Sequence, residues 1–313
     1  MLSLLAVFGL YLNRGVRQKV AVARTLTFRD NLHYVANAGV QRAVVELLKD
    51  EEPQYDTLGE SWSFNPAELA NVRVGPGAFT VAHRTDGAEV YGIVDEERKI
   101  NVNTAPLEVL TRLIERVAGL DEADARVLAA AVCDWRDGDS FLSLAIGSAE
   151  ESYYQNLSEP YDCKDYPFEV EEELLLVKGM TEDIFLALKP SITIYGSGKV
   201  NINTASAPVL AAFGLGDGLI EKIMAFRAGA DERAGTGDDN VFEPSHDVAA
   251  SLSQFEALSS DEATILSAIN ERGDFCTASS HFRVVSTASI GPLTRTVEAV
   301  TDKKGTIVSW REW

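Results

Sequence analysis

The chain has 313 residues, enough for two domains or for one domain carrying a large insertion. Its 46% apolar content fits packed cores, whereas 48 Asp and Glu against 28 Lys and Arg give a formal net charge of −20. A field of that sign repels phosphate backbones and disfavours broad nucleic-acid binding; it suits cations, basic partners or plain solubility.

The first stretch, MLSLLAVFGLYL, is apolar from Met1 to Leu12, and Asn13 and Arg14 end the run. A membrane span needs roughly 20 apolar residues, so this one is too short alone. It lacks the basic n-region and small-residue cleavage site of a signal peptide, and reads as the second half of a longer membrane helix. Residues 14–50 contain no proline, and Val16, Val20, Val22, Leu26, Leu32, Val35, Ala36, Val40, Val44 and Leu47 recur at mixed steps, mostly of three and four residues. That spacing predicts an amphipathic helix continuous with the apolar start, closed by Asp50, Glu51, Glu52 and Pro53.

From 54 to 103 the pattern shortens. VRVGPGAFTVAHR (72–84) and EVYGIVDEERKINVN (89–103) alternate apolar and polar residues, with turns at Gly75-Pro76-Gly77 and Thr85-Asp86-Gly87. Helical periods dominate from Pro106 to about Asn270. The segment from His281 to Trp313 returns to strands, with turns at Ile290-Gly291-Pro292 and Lys303-Lys304-Gly305. The expected organisation is a helix over 1–53, a first part of a sheet over 54–103, an inserted helical domain over 104–280 and the rest of the sheet over 281–313. A helical block that interrupts a sheet most simply means an insertion into a helix-plus-sheet domain.

Within the helical block one signal is written twice, as KINVNTA (99–105) and KVNINTA (199–205). After the first, Leu107, Leu110, Leu113, Ile114 and Val117 share a helix face. Asn or Thr side chains are expected to cap that helix, with Pro106 in its first turn. After the second, Val209, Leu210 and Phe213 lead to a hairpin at Gly214 and Gly216, then to Ile220, Ile223 and Phe226. LLLVKGMTEDIFLAL (174–188) supplies another hairpin at Gly179. The block therefore reads as small helix-hairpin-helix (SAM-like) units.

Each repeat runs into acid. CDWRDGDS carries Asp134, Asp137 and Asp139, and GADERAGTGDDNVF carries Asp231, Glu232, Asp238 and Asp239. Carboxylates clustered in Gly-rich loops repel one another unless water or a cation screens them. Calcium, which takes about 6–8 oxygen ligands in a flexible loop, fits that composition, and so does a solvated acidic turn. The EF-hand spacing fails, because position twelve counted from Asp134 is Ala145.

Other chemistry is weakly signalled. Cys133, Cys163 and Cys276 form no CxxC pair and admit one disulfide with a spare thiol, three reduced thiols, or simply small buried hydrophobes. His33, His83, His246 and His281 are scattered without HExxH; GSGKV (196–200) departs from a P-loop; GxSxG is absent. Glu150 and Glu151 are not placed in different environments, as an acid–base pair requires. The expectation is no catalytic residue, no organic cofactor site and no enzyme activity.

Several stretches together resemble one family, the K-type minor pseudopilins of bacterial type II secretion systems (general secretion pathway protein K). ANAGVQRAVVELL (36–48) is similar to the family's first helix, and KINVNTAPLEVLTRLI (99–114) to its entry into an inserted helical domain. DWRDGDS, AEESYY (149–154) and EPYDCKDYPF (159–168) are similar to its acidic loop, and ELLLVKGMTEDIFLALKPSITIYGSGKVNINTASAPVL (173–210) is the most specific match.

The resemblance implies an α+β, pilin-like fold: a long N-terminal helix packed on an antiparallel sheet, with a large inserted α-helical domain. It implies one or two calcium ions in that domain. Asp134, Asp137, Asp139 and one of Glu150 or Glu151 are then first-site candidates; Asp231, Asp238 and Asp239 belong to the second loop. It further implies a tip subunit that starts and caps a short periplasmic pseudopilus with I-type and J-type minor pseudopilins, above a fibre of major pseudopilin. Secreted cargo is a further expected contact. The expected location is the inner membrane, single-pass through the N-terminal helix, with the globular part in the periplasm. The family begins with a basic leader, a prepilin-peptidase site and a full apolar segment, whereas this frame opens inside that segment.

A competing resemblance is to helix-hairpin-helix nucleic-acid binders of the competence DNA-receptor type, through VNINTASAPVL and GLGDGLIEKIMAFR. Charge discriminates. Asp217 and Glu221 stand beside Lys222 at that hairpin, where a phosphate reader concentrates Lys and Arg, so no nucleic-acid partner is expected.

Overall fold

The computed structural model describes residues 2–85, 87–244 and 247–313, without the side chains of residues 2–8, 10, 12, 21, 24 and 25. Asp86 of the expected Thr-Asp-Gly turn, His246 and most side chains of the apolar run from Met1 to Leu12 lie outside the described residues. The chain divides into two units. One holds Met1–Lys49, Ser61–Val94 and Arg283–Trp313; the other holds Asp50–Glu60 and Asp95–Phe282.

The first unit is built on the predicted helix, which runs unbroken over Leu2–Leu47. Leu32, Val35, Ala36, Val40, Ala43, Val44 and Leu47 form its buried stripe, at the three- and four-residue steps that put side chains on one face. The stripe begins at Leu32; Val16, Val20 and Leu26, which the same periodicity assigned to a covered face, are exposed. No described helix is long and apolar enough to cross a membrane.

The sheet places strands Val72–Val74, Gly77–Val81, His281–Ile290, Leu293–Asp302 and Ile307–Glu312 side by side in that order. The first, second and last of these neighbour pairs are antiparallel, with Phe79 opposite Ala288 and Ala299 opposite Trp310. Phe79, Val81, Val284, Ala288, Val297 and Ala299 are buried. Helix meets sheet at Gly39, where a Cβ would stand 2.1 Å from Ser286 Oγ and 2.9 Å from the Phe79 ring. Ser286 Oγ donates to the Ala36 carbonyl, 2.8 Å, beside this approach.

The second unit shows why the chain repeats itself. Ile100–Asn101 pairs in parallel with Ile192–Thr193, and Val200–Asn201 pairs in parallel with Phe275–Cys276. Each repeat thus opens its own short ladder within this unit. The sequence pattern instead places Ile100 and Asn101 in the outer sheet; their side chains are buried here, in the helical unit.

After each short strand the backbone turns in the same way. Asn101 Oδ1 accepts from Asn103 N at 2.8 Å, and Asn201 Oδ1 accepts from Asn203 N at 2.9 Å. The second Asn of each copy then grips a distant phenylalanine backbone. Asn103 Nδ2 donates to Phe168 O (3.0 Å) and its Oδ1 accepts from Phe168 N (2.7 Å); Asn203 does the same to Phe242 O (3.0 Å) and N (2.8 Å).

An arginine at the end of the second helix of each repeat closes the turn. Arg136 donates to the Val102 and Ala105 carbonyls, and Arg227 donates to the Ala205 carbonyl at 2.6 Å. The Asn and Thr side chains therefore do not cap the following helices. The N-caps are Pro106 and Ser206, neither with a side-chain cap bond, because the asparagines are taken up by these clasps.

Helices Leu107–Ala118 and Glu122–Arg136 follow the first strand, and Ala207–Ala212 and Asp217–Arg227 follow the second. Gly119, Gly179 and Gly214 take positive φ at the bends between helical segments, at +68°, +83° and +89°. The repeats share one core, in which Leu113, Ile114, Leu128, Val209, Leu210 and Ile223 are all buried.

Candidate metal centre

The first acidic loop leaves the end of helix Glu122–Arg136. That helix starts cleanly, with Asp121 accepting from Asp124 N, and brings Asp134 into its last turn. Asp134 is fully buried; its Oδ1 accepts from Ser143 N at 2.8 Å and its Oδ2 from Ala149 N at 3.1 Å. One carboxylate therefore folds the loop back over the helix end. Asp139 Oδ1 accepts from Phe141 N at 2.7 Å, and Ser148 Oγ both accepts from Leu144 N and donates to Leu144 O, so the loop has a defined path.

That path brings Asp137, Asp139 and Glu150 together, with one ligand oxygen of each within 4.8 Å of the others. Oxygen ligands about 2.4 Å from a calcium ion lie at most about 4.8 Å apart, so the three fall within the spread that one ion's ligands span. Glu150 is 5% exposed and its Oε1 has no hydrogen-bond partner. Burial first, and then the charges of Asp134, Asp137, Asp165 and Asp139, push its carboxyl up to about 7. Burial, reinforced by Asp139 and Asp134, also raises Asp137. The neighbouring cation, Arg136, points to the Val102 and Ala105 carbonyls instead. A hard-oxygen, anionic set with an orphaned buried oxygen fits a divalent cation.

The remaining candidates of this loop have other partners. The Asp134 oxygens hold loop amides, and Glu151 accepts from Gln155 Nε2 (2.9 Å) and from Cys163 N (2.7 Å). Sequence reasoning missed Cys163 and Asp165, which gather on Glu150 within the same 4.8 Å limit. The available signal was their place in EPYDCKDYPF, just ahead of the clasped Phe168.

The second loop is arranged differently. Asp238 accepts from Ala230 N (2.8 Å), Asp231 N (3.0 Å) and Thr236 Oγ1 (2.6 Å). Asp239 accepts from Gly235 N (2.6 Å), and Asp231 from Arg233 N (2.8 Å). The Thr236 hydroxyl and the loop amides hold the Asp238 carboxyl below its usual range. Donors from the loop itself thus balance Asp231, Asp238 and Asp239. A third gathering, Asp50, Asp56 and Glu60, lies where the sequence showed only a helix terminator; there Asp56 accepts from Ser279 N and Glu60 from Thr57 N, each at 2.6 Å.

Residues 86–197 match the family described as type II secretion system (T2SS), protein K. Two proteins named type II secretion system protein K are similar to the chain. The one from Aeromonas hydrophila is 26% identical over 189 residues, 54% of this chain and 52% of its own length, so the chain spans about half of it. The one from Pseudomonas aeruginosa is 25% identical over 287 residues, 88% of this chain and 78% of its own length. Among solved structures, one chain of the GspK-GspI-GspJ complex from the enterotoxigenic Escherichia coli type 2 secretion system has a similar fold. Its TM-score is 0.65 at 15% identity, covering 95% of this chain and 99% of that one.

Proposed function

We propose, from its similarity to type II secretion system protein K over residues 86–197 and along most of the chain, that this chain is the minor pseudopilin at the tip of a periplasmic pseudopilus. The observation that carries the reading is a helix-and-sheet unit whose sequence is interrupted by a helical unit of two clasped repeats. The helix supplies a surface for packing among other pseudopilin helices: Val16, Val20, Val22 and Leu26 are apolar and exposed, as residues awaiting a partner helix are. The bulk of Asp95–Phe282 makes the subunit larger than a helix and sheet alone, which suits a position that ends growth. In this reading its partners are I-type and J-type minor pseudopilins, the major pseudopilin fibre below and secreted cargo. The N-terminal helix is anchored in the inner membrane and the globular part is periplasmic. Its role is structural and assembles other subunits without turning over a substrate.

Two finer features belong to the same proposal. The helix pairs that bend at Gly119, Gly179 and Gly214 are helix-hairpin-helix units, used here for packing, since Asp217 at the second hairpin faces Arg116 at 2.9 Å. Asp137, Asp139 and Glu150 hold calcium, whose chemistry here is charge neutralisation and loop bracing, while Asp134 and Glu151 shape the loop.

Assembly tests the function. The full chain, mixed with the I-type and J-type minor pseudopilins of the same secretion system, is expected to elute as one complex with a mass equal to the sum of the three. Separate elution of all three at micromolar concentration, with and without calcium, would remove the tip reading.

A further inference from the structure

Glu150 lies between two sets of donors. Asp137 and Asp139 form one; Cys163 and Asp165 form the other, each set within 4.8 Å of the Glu150 ligand oxygen and internally. Glu150 and Cys163 are 5% and 6% exposed. Glu150 Oε1 is buried without a hydrogen-bond partner, a costly arrangement for a carboxylate oxygen. The Cys163 thiol stands 4.0 Å from the Asp134 carbonyl and is hydrogen-bonded with the Asp165 side chain. Asp165 takes φ +49°, a left-handed conformation that non-glycine residues rarely adopt.

Calcium has no use for sulfur, since its ligands are oxygens. One sulfur and two carboxylates instead match borderline ions that accept S, N and O donors in a four-coordinate shell. We infer that Glu150, Cys163 and Asp165 form a mixed thiolate–carboxylate site for a divalent transition ion of the zinc class. Water completes the shell. As the metal–sulfur bond forms, the S–H bond breaks and its proton passes to solvent, so the metal replaces a proton on Cys163. The site shares only Glu150 with the calcium reading, so zinc and calcium compete for that carboxylate.

The test uses the full chain, stripped with chelator and titrated with Co2+ in reducing, calcium-free buffer. Thiolate ligation gives a near-ultraviolet sulfur-to-cobalt charge-transfer band that zinc then abolishes. The band is expected in the parent protein, in Cys133→Ser, in Cys276→Ser and in Asp139→Asn. It is expected to be lost in Cys163→Ser, with zinc affinity reduced by at least about tenfold. Absence of the band in the parent, or its survival in Cys163→Ser, overturns the proposal; a circular-dichroism melt confirms that the serine variant folds. Calcium binding followed by calorimetry separates the two readings, because Asp139→Asn abolishes it and Cys163→Ser leaves it. A cobalt band without calcium binding removes only the calcium reading, and calcium binding without the band removes only this one.

Discussion

Asn203 and Phe242 hold each other by two reciprocal hydrogen bonds of 3.0 and 2.8 Å, side chain to backbone, across a loop that carries three aspartates. Asn103 and Phe168 repeat the bond pair. Removing a side chain that serves a buried donor and a buried acceptor leaves both unmet, at about 1–3 kcal/mol each. Asn203→Ala is therefore expected to lower stability by about 2–6 kcal/mol, and Asn103→Ala by less, because Asn203 is buried and Asn103 only half-buried. Urea melts check this ordering; equal losses, or none, would mean that the clasp does not organise the repeats.

Gly39 is predicted to resist substitution. Alanine is the better helix former by about 1 kcal/mol, but its Cβ would stand 2.1 Å from Ser286 Oγ and 2.9 Å from Phe79. Overpacking costs about 1–3 kcal/mol and outweighs the propensity gain. Gly39→Ala should thus destabilise by up to about 2 kcal/mol net. Its cost should shrink in a Ser286→Ala background, where the closest atom is gone, so a double-mutant cycle in thermal melts should return a non-zero coupling.

Much of this organisation is legible in the sequence because it rests on periodicity. The stripe from Leu32 to Leu47, the strand-forming C-terminal segment and the two NTA copies all follow spacings of two or three to four residues. What those spacings cannot carry is the partner of a side chain. Asn103 and Asn203 look like helix caps, since a cap is the commonest local use of Asn, yet each reaches dozens of residues along the chain. Asp134 looks like a ligand because it sits among other carboxylates; only the loop path shows that its two oxygens hold the Ser143 and Ala149 amides. Asp165 was hidden for the converse reason, since it joins Glu150 from a separate loop. The N-terminal half of the first helix shows a further limit: hydrophobic period predicts a helix there but does not say whether its apolar side chains are covered.

Glu150 and Asp95 both titrate near neutrality, each pushed up to about 7, mainly by burial and further by neighbouring carboxylates. A carboxyl raised in this way contributes stability that is fully present below its unfolded value and is lost as pH rises through the folded one. The chelated protein should therefore lose stability up to about pH 7 from these two groups, beginning near pH 3.8 for Asp95 and near pH 4.5 for Glu150. Glu150→Gln keeps the shape without the charge. It should show a shallower fall than the parent over that window in melts at stepped pH, and parallel curves would deny Glu150 its raised value.

Calcium is expected to reverse this loss, because an ion bound there would stabilise the charged form of Glu150 that burial and the neighbouring carboxylates disfavour. Binding to the folded state alone adds RT ln(1 + [L]/Kd), or about 2.7 kcal/mol at a hundredfold excess over Kd. In a chain of this size that corresponds to a rise in midpoint of roughly 4–8 °C. Magnesium should do much less, since it demands near-ideal octahedral geometry at about 2.0–2.1 Å and gives up its water reluctantly. Asp139→Asn and Glu150→Gln should each abolish the calcium shift. Asp238→Asn should retain it, because the oxygens of Asp238 are already held by Ala230 N, Asp231 N and Thr236 Oγ1. If Asp238→Asn removes the shift while Glu150→Gln keeps it, the ion belongs to the second loop; the amide bonds now on Asp238 must then give way to metal. If no variant changes the melt and calcium does nothing to the parent, the first loop is braced by Asp134 alone, with Asp137 and Asp139 balanced by water.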